Sequence, residues 1–226
     1  MIVLAIDTAS TLCAACVWDS DASRERGRCV EDIGKGHAER LMDVINSAMA
    51  SAGVTYRDLE GIAVSVGPGS FTGIRVGVSA ARGLALALQR PTWGITTLAA
   101  LAEDARAAFP GRPVLAAIDA RRDELYVEGH DPDGALTLGP VAVPYSDAGG
   151  LVDDPRTVLT GSGAAIIAAA SSQPLSVHPA GATGDIATFA RLAALGRVQS
   201  TPPRPLYLRA PDARPQDGFA LPRKAG

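Results

Sequence analysis

Lysine is almost missing from this chain of 226 residues. Only Lys35 and Lys224 occur among 21 basic residues, so arginine carries the positive charge and there is no polybasic run. With a net charge of −3, this excludes binding of nucleic acid through a strong overall positive field. Cysteine is scarce as well: Cys13, Cys16 and Cys29 are all there is. Cys13 and Cys16 form a C-x-x-C with no second pair and no histidine near in sequence. On a strand, their odd spacing puts the two thiols on opposite faces, which predicts buried structural groups. An odd count without a secretory signal fits a reducing compartment.

The three histidines, His37, His130 and His178, are scattered, and none has a ligand partner at i+3 or i+4. No metal ligand is therefore assigned. The serine-hydrolase pattern G-x-S-x-G is absent, so a peptidase would lack a nucleophile–base pair. The N-terminus is apolar but has no basic n-region, and Asp7 interrupts it. The longest weakly polar run, residues 76–88, contains Arg82 and falls short of the ~20 residues that span a bilayer. The expectation is a soluble cytoplasmic protein with no membrane partner. Aromatics make up 4% of a chain that is 47% hydrophobic, which suits one large domain or two small ones with a real core.

What is present alternates. Residues 2–6, 12–18 and 24–33 read as three strands joined by short polar turns, hence an antiparallel meander. Over 37–52 the apolar residues Leu41, Val44, Ile45, Ala48, Met49 and Ala52 recur at helical spacing, and Gly53 is a plausible stop. Such a stripe leaves open whether Leu41, Val44 and Ile45 face the core or a partner. A buried strand at 62–66 leads into GPGSFTGIRVGVSAARGLALAL, a turn that launches a helix over 72–88, with Pro91 as its terminator. A short strand and a helix over 98–109 follow.

Pro110, Gly111 and Pro113 mark a subdomain boundary, giving 1–110 and 111–200, with 201–226 as a proline-rich extended tail. The second part repeats the opening theme. Strands at 114–119 and 124–129 flank the turn ARRD, a third lies within 135–143, and 156–160 leads to an apolar helix at 164–170. A last helix spans 185–195. Asp7 after the first strand is matched by Asp119, a weak internal similarity that suggests two related α/β subdomains.

Two chemical readings compete for residues 67–88. A phosphate loop needs G-x-x-x-x-G-K-[ST], and residues 67–75 have no lysine. The helix instead carries Gly73, Gly77, Ala81 and Ala85 in steps of four. Glycine inside a helix costs about 0.8–1 kcal/mol against alanine, and Gly77 and Gly83 both carry that cost. Close approach of another element is the expected compensation. No acidic residue lies between positions 60 and 103, while Arg75, Arg82 and Arg90 do, and Arg75, Ser79 and Arg82 share a face. That face is either simply solvated or meets acidic residues on a partner.

MIVLAIDTAS, GHAERLMDVI, VSVGPGSFTGIRVGVSAARGLALAL, GITTLAAL, IDARRDELYVE and PLYLRAPDA together resemble the TsaB (formerly YeaZ) family. The resemblance implies two actin/Hsp70/sugar-kinase-like (ASKHA) subdomains. It also implies a non-catalytic scaffold subunit of the complex that forms N6-threonylcarbamoyladenosine at position 37 of tRNAs reading ANN codons. The implied partners are a TsaD-like catalytic subunit and a TsaE-like ATPase, with a homodimer when alone and tRNA met only indirectly. No cofactor is implied on this chain itself, though ATP at a subunit junction is compatible. The implied interface comprises His37, Leu41, Val44, Ile45, Ser70, Phe71, Gly73, Arg75, Val76, Gly77, Ser79 and Arg82. Where the catalytic relative carries a His-x-x-x-His metal pair, this chain has Thr97 and Leu101, and no catalytic residue is assigned. Asp7 and Thr8 occupy the nucleotide-binding hairpin position of the fold, but the usual glycine of Asp-x-Gly is absent. The site reads as degenerate, with Asp7 capping its turn. An ATPase or small-molecule kinase of the same fold is the alternative.

Overall fold

The computed structural model describes residues 1–196 and 202–209. Strands β1 (Ile2–Asp7), β2 (Leu12–Asp19) and β3 (Arg24–Asp32) form the expected antiparallel meander. Helix α1 (His37–Ala52) leads to β4 (Gly61–Gly67), then α2 (Phe71–Leu88), β5 (Thr92–Thr96) and α3 (Thr97–Ala108). β4 pairs parallel to β1 and β5 parallel to β4, giving the order β3-β2-β1-β4-β5.

The second half repeats this wiring. Strands β6 (Val114–Arg121), β7 (Glu124–His130) and β8 (Leu136–Pro144) form a second meander. A 3-10 segment (Tyr145–Gly150), β9 (Val158–Thr160), α4 (Ala164–Ala170), β10 (Ser176–His178) and α5 (Ile186–Ala194) complete it. The sheet order is β8-β7-β6-β9-β10, the same topology as the first. Two mixed sheets of one topology, each flanked by helices, are the ASKHA-like arrangement that the resemblance implied. The 3-10 segment and β10 were not anticipated. β10 has three residues, too few for a period-2 pattern to register.

Alternation along the central strands builds two cores at once. Leu4, Ile6, Ile62 and Val64 point to one side of the first sheet, where α1 and α2 lie. Val3, Ala5, Ala14 and Ala63 point to the other side, against Phe189 and Ala190 of α5. The large side chains are on the first side; the alanines on the second let α5 approach closely. α3 meanwhile packs on β6, β7 and β9 of the second sheet, burying Leu98, Leu101 and Ala105 against Val114, Ala116 and Ile118. Both helices also touch each other, so α3 and α5 form a layer between the sheets. α4 and the 3-10 segment cover the far side of the second sheet.

α2 ends at Leu88 as expected, where Gln89 turns left-handed (φ 54°) and its N–H closes on Ala85 and Leu86. Two expectations are corrected here. α2 starts at Phe71, so its 18 residues satisfy length and apolarity for a membrane span. Its Ile74, Val78 and Ala81 nevertheless pack on the first sheet, as in the core helix of a folded domain. The tail is docked rather than free over 202–209: Leu206 N–H donates to Val66 O at 2.8 Å and its side chain packs on the first core. Residues 210–226 of the expected tail lie outside the described residues. The cysteine prediction holds: Cys13 faces the α1 side and Cys16 the α5 side. Burial pushes the Cys13 thiol up to about 11 and raises that of Cys16 as well, so both are inert.

Candidate partner face and inter-subdomain cleft

The turn before α2 is built by short side chains. Gly67 is left-handed (φ 95°) and precedes a cis Pro68. Ser70 N–H donates to Ala9 O at 2.7 Å, and Ser70 Oγ caps the helix by accepting from Gly73 N–H. A Cβ on Gly73 would sit 2.0 Å from the carbonyl oxygen of Thr8, and one on Gly77 would sit 2.4 Å from Thr8 Oγ1. The small-residue stripe therefore packs on the protein's own first turn. This corrects the placement of Gly73 and Gly77 at a partner interface, since both are buried beneath α2. Gly83 behaves differently: among the described residues nothing lies within 4 Å of its would-be Cβ, so close packing there does not offset its helical cost.

Three more interface candidates prove to be internal. Val44 and Ile45 are fully buried among the strands beneath α1. His37 is buried too, and its Nε2 lies 3.2 Å from Leu12 O, which ties the start of α1 to β2. It does not cap the helix: Gly36, left-handed at φ 89°, holds that position without a side-chain bond. Leu41 is almost buried and forms the floor of a groove between α1 and α2. The walls of this roughly 400 Å³ groove include Ala38, Met42, Thr72, Arg75, Val76 and Ser79.

The remaining candidates do lie outward. Ser70, Phe71, Arg75, Ser79 and Arg82 are exposed and Val76 is half-buried. Phe71, one of these candidates, is 51% exposed, and periodicity missed two further large exposed apolar groups on the same pair of helices, Met42 at 44% and Leu86 at 82%. Tyr207 returns to Phe71 from the tail. Its ring centre lies 5.1 Å from that of Phe71, and its hydroxyl accepts from Arg75 Nε at 2.7 Å. Arg75 lies 3.7 Å over the Phe71 ring. Tyr207 had a sequence signal only in the motif PLYLRAPDA, which showed nothing of where the strand-like tail docks.

The cleft between the subdomains holds about 760 Å³ and is lined by Ser10, Ser70, Asp119, Arg121, Thr183 and Arg209, among others. Asp7 and Thr8 precede its lining residue Ala9 but do not line it themselves, and the polar side-chain atoms of both are engaged inside the protein. Asp7 Oδ1 accepts from Ala9 N–H at 2.9 Å and Oδ2 accepts from the Thr183 hydroxyl at 2.6 Å. Thr8 Oγ1 donates to Gly73 O at 2.7 Å. Both residues are buried. The nucleotide-binding assignment of Asp7 and Thr8 is thus corrected to a structural one, and the expected turn cap is what Asp7 forms. Asp119 repeats it, with Oδ1 accepting from Arg121 N–H at 2.7 Å and from the Tyr145 hydroxyl. Thr97 and Leu101 are both fully buried, and the Thr97 hydroxyl donates to Pro68 O at 2.6 Å. Among the described residues no group of three His, Cys, Asp or Glu is placed to hold a metal.

Fold and site define an ASKHA-like protein whose hairpin carboxylate is committed to holding its own turn and whose α1–α2 face is open. Comparison with known proteins narrows this. The family profile described as TsaD, tRNA N6-adenosine threonylcarbamoyltransferase, matches residues 20–134. The tRNA threonylcarbamoyladenosine biosynthesis protein TsaB of Escherichia coli is 36% identical over 126 residues, 56% of this chain and 53% of that protein. This chain thus matches about half the length of that relative. An uncharacterised protein of Mycobacterium tuberculosis is 34% identical over 218 residues, 94% of each chain. Among solved structures, a Pseudomonas aeruginosa protein described as similar to peptidase YEAZ superposes with a TM-score of 0.78 at 28% identity, covering 92% of this chain and 99% of that one. YeaZ of the same organism gives 0.73 at 27% identity, covering 87% and 93%. The chain belongs to the TsaB (YeaZ) family.

Proposed function

We propose that this chain is the non-catalytic accessory subunit of the machinery that forms N6-threonylcarbamoyladenosine at position 37 of tRNAs reading ANN codons. It supports a TsaD-like catalytic subunit that carries the metal and the transfer chemistry, and a TsaE-like ATPase joins the assembly. In the absence of that partner, two copies pair through the same face. The assembly is cytoplasmic and meets tRNA indirectly, and any ATP sits at a junction between subunits.

The observation that carries this reading is the outer surface of α1 and α2. Met42, Phe71 and Leu86 expose apolar area there, and Arg75 and Arg82 supply positive charge with no carboxylate on α2. A partner helix pair with apolar side chains and carboxylates fits it. The commitment of Asp7 and Thr8 to internal hydrogen bonds supports an accessory role over an ATPase or kinase.

The test is co-purification with the TsaD-like subunit of the same cell, with mass and affinity measured. Val76→Glu puts a charge into the groove wall, and Arg82→Glu reverses the charge of the face. Each is expected to weaken pairing at least tenfold. Melting of the isolated chain should stay nearly unchanged for Arg82→Glu, whose side chain is exposed. Unaltered pairing by both variants would sink the assignment of this face.

A further inference from the structure

The returning segment 202–209 touches both halves of the molecule. Pro203 is buried against Gly94 of β5, where a Cβ on the glycine would lie 3.2 Å from the proline ring. Leu206 bonds the end of β4 through Val66 O. Tyr207 reaches Phe71 and Arg75 on the first turn of α2. Arg209 then pairs with Glu124 of the second subdomain and donates to Arg121 O at 3.3 Å. The segment is thus fixed on both sides of Tyr207. The Arg75 guanidinium lies over the Phe71 ring, with its Nε tied to the Tyr207 hydroxyl.

We propose that residues 202–209 act as a strap that positions Arg75 for the partner subunit, with Tyr207 as the positioning residue. This inference rests on the partner-face reading above. An unrestrained arginine on an exposed helix samples many rotamers, and ordering it on association lowers affinity. Here its Nε is held by Tyr207 and its plane by Phe71 before any partner arrives. Among the described residues no hydrogen bond holds NH1 or NH2, and that edge is the one offered to a carboxylate in the two-point geometry that arginine favours. The strap also reaches the cleft through Arg209, so the partner face and the relative setting of the two subdomains share one tether.

A double-mutant cycle on the full chain tests this, with affinity for the TsaD-like subunit measured by calorimetry. Tyr207→Phe keeps the ring stack and removes only the hydroxyl. It should weaken pairing about threefold and leave melting of the isolated chain unchanged. Arg75→Ala should weaken pairing about tenfold. In the Arg75→Ala background, adding Tyr207→Phe should cost nothing further, because the hydroxyl acts through Arg75. An equal loss from Tyr207→Phe in both backgrounds, or no loss in either, overturns the strap's role. Val76→Glu separates the two readings. If it weakens pairing while Arg75→Ala does not, the face stands and the positioning inference falls. If neither weakens pairing, the face itself is wrong.

Discussion

Gly73 and Gly83 lie ten residues apart on one helix and answer opposite demands. A methyl at Gly73 meets the carbonyl of Thr8 at 2.0 Å, a backbone atom that cannot step aside. Gly73→Ala is expected to destabilise the chain by about 1–3 kcal/mol despite the better helix propensity of alanine. Gly83 has open space around it, so Gly83→Ala should stabilise by about 0.5–1 kcal/mol. Urea unfolding of the two variants measures the contrast, and equal shifts would mean that α2 does not sit on Thr8 as described. His130 carries a second residue-level prediction. Burial, the largest single influence, pushes its imidazole down, but the hydrogen bond to Glu128 2.8 Å away, the charge of that carboxylate and the carbonyl of Gly134 together outweigh it and raise it above the ordinary value. The charged form is therefore favoured on folding. Its stabilisation is complete below about pH 6.5 and fades as pH rises through the folded-state value. The melting temperature should fall as pH rises above about 6.5, and His130→Gln should flatten that slope. An unchanged slope in the variant would assign the dependence elsewhere.

Helices α1 and α2 each present two faces, and only packing tells them apart. The stripe on α1 was legible as amphipathic, and the structure turns all of it inward: Val44, Ile45 and Ala48 are fully buried. What faces outward includes Met42, which the hydrophobic period does not mark. α2 has the same logic with smaller residues. Its inner face packs Ile74, Val78 and Ala81 on the sheet and is glycine at 73 and 77, because the first turn lies directly beneath those two positions. Its outer face is where Val76→Glu and Arg82→Glu act on pairing. A bulky residue at Gly77 would not report on a partner. Such a residue strikes Thr8 and would unfold the helix from the sheet before it affected any partner.

Across the whole molecule, α3 and α5 cross between the sheets, and each packs on the sheet of the other half. Among the described residues Phe189 of α5 is the largest fully buried side chain, set against Val3, Ala5 and Trp93 of the first sheet. Phe189→Ala should cost about 3–5 kcal/mol by leaving a cavity in this shared layer. Because the layer joins both halves, the loss should appear as one cooperative transition at lower denaturant. Two separate transitions would show the halves to be independent. Asp104 adds polar fastening to the same crossing, accepting from Asp185 N–H at 2.7 Å and from the Thr188 hydroxyl.

Sequence by itself determined much of this protein. Period and turn chemistry placed most strands and the five α-helices among the described residues to within a few residues, because each element carries its own hydrogen bonds and its own apolar spacing. The paired Asp7 and Asp119 turns were legible for the same reason, since an aspartate closing on the N–H two residues ahead is a local event. Tertiary structure alone decided the rest. It showed that Gly73 and Gly77 serve Thr8, that Val44 and Ile45 belong to the core, and that Thr183, 176 residues away, occupies the carboxylate of Asp7. It also brought Tyr207 onto Arg75 across 132 residues of sequence. The physical reason is common to all four. Burial and hydrogen-bond partnership are properties of what comes to lie opposite a side chain, and one stripe of apolar or small residues reads the same whichever surface eventually covers it.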